Sequence, residues 1–85
     1  METPFHKDLQ RVISVNNGYM TRGEWNLIIS IRDCKLYSKG IKPHKNWKIS
    51  DVKWYFDVTG TAQTIVPKLE KMLNEIKAIR DENKN

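Results

Sequence analysis

Apolar residues recur at helical spacing through most of the chain, and the runs are separated by glycine, proline and polar clusters. In 3–15, Phe5, Leu9, Val12 and Ile13 fall on one face of a helix. Thr3 followed by Pro4 reads as an N-cap with proline in the first turn. Asn16, Asn17 and Gly18 end that element, because Asn and Gly accept positive φ. Helix is the preferred reading; a strand is the rival, since Val12, Ile13 and Val15 are β-branched.

Thr21, Arg22, Gly23 and Glu24 make a capping box, and Met20 before it is placed to pack on Trp25. In the helix that follows, Trp25, Ile28, Ile29, Arg32 and Leu36 share a face, with Leu27, Ile31 and Cys34 beside it. So broad an apolar surface predicts the central core helix. It stops near Ser38, Lys39 and Gly40, with the glycine as a left-handed cap. A loop over 41–46 contains Pro43.

Ser50 is a natural N-cap for a short helix running to about Phe56, with Asp51 in its first turn facing the positive end of the helix dipole. Val52, Tyr55 and Phe56 are expected inward, Lys53 and Trp54 outward. Residues 57–61 form a joint in which Gly60 holds a conformation that residues with a Cβ avoid. The last helix starts between Thr61 and Thr64, and Thr64 as its cap puts Pro67 in the first turn, where proline is tolerated. Ile65, Leu69, Met72, Ile76 and Ile79 then recur every 4, 3, 4 and 3 residues, widened by Val66 and Leu73. Lys71 with Glu75, and Lys77 with Asp81, are favourable pairs four apart. The pattern predicts an all-α fold of three to four helices, a single domain over 1–80 with a frayed tail over 81–85. The helix opened by Thr21 sits at the centre and the last helix packs across it.

Composition narrows the function classes. With 85 residues, 39% hydrophobic and 29% charged, the chain is a small globular domain with a modest core. No apolar run approaches the ~20 residues that cross a bilayer, no signal-peptide pattern opens the chain, and Cys34 stands alone, so a soluble protein of a reducing cytoplasm is expected. The net charge is +5. Residues 32–53 carry seven basic residues against two acidic ones, a local balance of +5 equal to that of the whole chain. His44, Trp47, Trp54 and Tyr55 are interleaved with those lysines.

Lysines hold phosphates without sequence preference, and aromatic rings stack on unpaired bases. The plainer reading is a solvated charged face with the tryptophans as core volume, and for Trp47, beside Ile49 and Val52, that reading is the stronger. Gly60 and Thr61 at a helix N-terminus offer free N–H groups to a phosphate, against the simpler reading of a capped turn. The heptad of the last helix suits either the core or a homodimer seam. Cys34 with His44 makes a poor nucleophile–base pair, for Cys34 lies on an apolar face and no third group orients the pair. His6, His44 and Cys34 lack metal-ligand spacing, and the carboxylates are scattered without an acid–base pair. No enzyme, cofactor or metal is expected.

Ser50, Val52, Lys53, Gly60, Thr61, Ile65, Val66, Lys68 and Leu69 together resemble the SAP-type helix–extended loop–helix module, a small nucleic-acid-binding unit. That family's pattern is a capping hydroxyl, an aliphatic–Lys pair, a loop closing in Gly-Thr, two adjacent aliphatics and a basic–Leu pair. The stretch between Lys53 and Gly60 is shorter here than in the family, and Ala62 stands where a basic residue is usual. The resemblance covers about a quarter of the chain. The whole chain also looks like small uncharacterised proteins of tailed bacteriophages, which implies a context in a host cytoplasm and no activity.

The expected function is therefore a non-enzymatic domain that binds DNA or RNA mainly through phosphates. Lys39, Lys42, Lys45, Lys48, Lys53 and Lys68 would hold the backbone, with Trp54, Gly60 and Thr61 beside it. The alternative is an interaction or inhibitor protein that docks the same basic surface on an acidic host protein.

Overall fold

A computed structural model describes residues 3–15 and 18–82. Its elements in chain order are α1 (Pro4–Asp8), β1 (Val12–Val15), β2 (Gly18–Thr21), α2 (Arg22–Ser38), α3 (Ile49–Phe56) and α4 (Ala62–Glu82). The fold is mainly helical, and the purely all-α expectation is corrected by the β1–β2 hairpin.

The helix expected over 3–15 ends at Asp8. Its start is as expected: the Thr3 hydroxyl accepts the His6 amide at 3.1 Å, and Pro4 occupies the first turn. The β-branched half becomes β1, antiparallel to β2, with Val12 opposite Thr21 and Ile13 opposite Met20. A hydrogen bond of 2.7 Å from the Arg22 amide to the Arg11 carbonyl closes the open end of the hairpin. The spacing of Val12 and Ile13 suits either period, and a partner strand nearby decides between them, because pairing satisfies backbone groups that a short helix end leaves open. The turn expected at Asn16 and Asn17 lies outside the described residues.

In α2 the cap is as expected, with Thr21 Oγ1 accepting the Glu24 amide at 3.2 Å. The C-terminus is a Schellman motif: Ile41 N–H reaches Leu36 O and Gly40 N–H reaches Tyr37 O, both at 3.0 Å, around Gly40 at φ 84°. The buried stripe differs from expectation. Leu27, Ile31 and Cys34 face the core, whereas Trp25 and Ile28 are 39% and 36% exposed. Helix α4 lies along α2, and its Ile65 and Leu69 join Leu27, Ile31 and Cys34 in the core. Val52 and Phe56 of α3, Phe5 of α1 and Trp47 of the connecting loop complete it. Met72, Leu73 and Ile76 pack on this core too, so most of the α4 heptad serves intramolecular packing and only Ile79 of the stripe is exposed.

Both later caps shift toward the N-terminus. Helix α3 begins at Ile49 with Lys48 in the cap position, which puts Ser50 inside the first turn. Helix α4 begins at Ala62, one turn before the position that would make Pro67 harmless, so Pro67 stands inside the helix. The cap is a reciprocal pair of threonines: the Thr61 amide donates to Thr64 Oγ1 at 2.9 Å, and Thr64 Oγ1 donates to the Thr61 carbonyl at 3.0 Å. The Thr64 amide in turn reaches Thr61 Oγ1 at 3.4 Å, so the two hydroxyls together fix the start of α4 more strongly than proline placement does. Helix α4 is assigned through Glu82, and residues 83–85 of the expected tail lie outside the described ones.

Candidate nucleic-acid interface

Helix α2 presents two neighbouring stripes to the rest of the fold. The core stripe of Leu27, Ile31 and Cys34 meets α4. Beside it, Asn26, Ile29, Ser30 and Asp33 recur at i, i+3, i+4 and i+7, the spacing that stacks side chains on one face. That second stripe forms one wall of a cleft of about 340 Å³. The opposite wall comes from α3 through Asp51, Val52, Trp54 and Tyr55, and the loop before it adds His44, Asn46, Trp47 and Lys48.

The walls are braced. Tyr55 Oη donates to Asp8 Oδ2 at 2.5 Å and accepts from Asn26 Nδ2 at 2.9 Å, tying α3 to α1 and α2. Arg22 Nε lies 3.9 Å from the same Asp8 oxygen. Burial pushes the Tyr55 phenol up to about 12, with the Asp8 hydrogen bond acting in the same direction. Trp47 is buried, its ring 4.8 Å from that of Tyr37, so the loop is pinned to the end of α2. Trp54 is 70% exposed. Asp33 is 5% exposed, and Arg32 Nε and Nη2 both meet its Oδ1 at 3.1 Å. Cys34 is fully enclosed on the other side of α2, and burial, with the Asp33 charge adding to it, raises its thiol to about 11. Such a thiol stays protonated at neutral pH and acts as packing.

The residues singled out from sequence are distributed unevenly. Lys48 and Trp54 line the cleft. Lys39 is the C-cap of α2, and Lys42 and Lys45 stand exposed on the loop between α2 and α3. Lys53 sits two residues from both Asp51 and Tyr55, hence about 160° around α3 from either and away from the cleft. Lys68 Nζ donates to the Thr59 carbonyl at 2.7 Å, bracing the joint before α4. Gly60 adopts φ 122° there, and the Thr61 amide is already engaged by Thr64. Asp57 also takes a left-handed conformation, φ 54° and ψ 53°, which the sequence assigned to Gly60 alone.

Sequence reasoning missed Asn26, Ser30, Asp33, His44, Asn46 and Asp51 as a group. The available signal was the polar stripe at 26, 30 and 33 beside the apolar one. Among the described residues no three of His, Cys, Asp and Glu gather as metal ligands, and no helix is long and apolar enough to cross a membrane. A scan against protein-family models, a search of curated proteins and a search of solved structures found no match to this chain.

Proposed function

We propose that this chain is a small, basic, non-enzymatic domain that binds nucleic acid, with most of the affinity coming from phosphate contacts. The observation that carries the reading is the segment from Lys39 to Lys48. Its lysines are exposed, make no ion pair among the described residues, and lead into a cleft whose mouth holds an exposed tryptophan. An unpaired ammonium is free to displace counterions from a phosphate chain, and an exposed indole is free to stack on a base. The helix–loop–helix formed by α3 and α4, with its SAP-type residue pattern, supports the same reading.

Lys39, Lys42, Lys45 and Lys48 are the principal phosphate contacts; Lys53 lies away from the cleft on α3 and Lys68 is held by the Thr59 carbonyl, so both contribute less. Fluorescence anisotropy with single-stranded DNA, RNA and duplex DNA tests this. Four contacts to a single strand predict a slope of about −3 in log K against log salt. Absence of binding to all three at low salt would remove the proposal.

A further inference from the structure

The cleft between α2 and α3 has a chemistry that phosphate binding does not use. Its volume of about 340 Å³ is at the small end of ligand sites, which suits one flat heterocycle. At its mouth the Trp54 indole makes no ring contact among the described residues, so a face is free for stacking. Asp33 and Asp51 both line the cleft, and a carboxylate can only accept. Both Arg32 contacts fall on Asp33 Oδ1, which leaves Oδ2 for a ligand. Asn26 directs an amide N–H to Tyr55, leaving its carbonyl oxygen as a further acceptor.

A phosphate is repelled by these two carboxylates and is instead attracted to Lys48 beside them and to Lys42 and Lys45 on the loop. A group entering the cleft must be flat and must bring N–H donors. Guanine presents two adjacent donors, N1–H and the N2 amino group, which the Asp51 carboxylate can take bidentately or share with Asp33 Oδ2; adenine and cytosine bring one amino group, and thymine or uracil one imide N–H. In a duplex that edge is already paired. We infer that the cleft receives a single unpaired guanine from a single strand, stacked on Trp54 and read by Asp33 and Asp51, while the loop lysines hold the flanking phosphates.

This inference rests on the nucleic-acid reading above, and one experiment separates the two. The whole chain is titrated by anisotropy with thymidine oligomers carrying a central guanine, inosine, adenine, cytosine or abasic site, and with the matching uridine oligomers to tell DNA from RNA. Guanine is expected to bind about tenfold more tightly than the abasic site, with inosine, which lacks the N2 amino group, in between. Trp54→Ala, at an exposed position, should bring every oligomer to the abasic level. Asp33→Asn and, at the exposed rim, Asp51→Asn should each reduce the guanine preference while binding persists; thermal melts identify a variant that has not folded. Equal affinity for guanine and abasic oligomers would overturn the cleft assignment and leave phosphate binding standing. No binding by any oligomer at low salt would overturn both.

Discussion

Single residues in this chain carry costs that the neighbouring structure imposes. Asp57 closes α3 in a left-handed conformation, in which a Cβ crowds the following carbonyl, at a cost of roughly 1–2 kcal/mol for most residues and less for Asp. Asp57→Gly is expected to stabilise the fold by about 0.5–1 kcal/mol, read as a higher urea midpoint. A buried thiol and a half-buried phenol add a pH dependence. The Cys34 thiol rises from an ordinary 9.0 to about 11 and the Tyr55 phenol from 10.0 to about 12, so the folded chain holds both protons more tightly than the unfolded chain does. Stability from these groups is complete below pH 9.0 and declines as pH passes through about 11 and then about 12. Denaturation midpoints measured across that range should fall, and Tyr55→Phe should flatten the upper part of the decline.

Elements meet where small side chains let them. Gly23 in the first turn of α2 sits against Leu9; a Cβ there would lie 2.9 Å from the Leu9 amide nitrogen. Alanine is the better helix former by about 1 kcal/mol, yet Gly23→Ala is expected to lower the melting temperature, because α1 would have to move off α2. Helix α4 shows the opposite balance. Pro67 lies inside it, exposed, and deprives the Gln63 carbonyl of its intrahelical donor. Pro67→Ala is expected to stabilise the chain by about 1 kcal/mol or more, since the ring is exposed and its loss restores the hydrogen bond to Gln63. A lower melting temperature for this variant would mean that the proline helps set the line of α4 against α2.

On the scale of the whole molecule, the positive charge is spread unequally in its accessibility. Lys42 and Lys45 are exposed on the loop, Lys53 lies behind α3, and Lys68 is held by Thr59. If the loop lysines carry phosphate contacts, replacing Lys42 and Lys45 together by Gln should reduce the single-strand salt slope by about 1.4. Lys53→Gln should leave it nearly unchanged. Equal effects from both changes would place the backbone track elsewhere on the surface.

Much of the architecture was readable from the chain. The Thr3 and Thr21 caps, the Gly40 terminus, the α4 stripe and the outward Trp54 all depend on residues within a turn or two of one another, where capping chemistry and helical periodicity act. The first half of the hairpin was legible only as the less favoured reading, because β pairing depends on a second segment. The choice among the faces of α2 was not legible at all. Leu27, Ile31 and Cys34, or Trp25, Ile28 and Leu36, would have served equally as an apolar stripe, and contact with Ile65 and Leu69 decided between them. The same rotation of α2 carried Asn26, Ser30 and Asp33 to the face opposite Asp51 and Trp54. Local sequence thus determined the Thr3 and Thr21 starts, the Gly40 end and where charge lies along the chain. Tertiary packing alone determined which side chains share the cleft, because that depends on how one helix is turned against another and on no spacing along the chain.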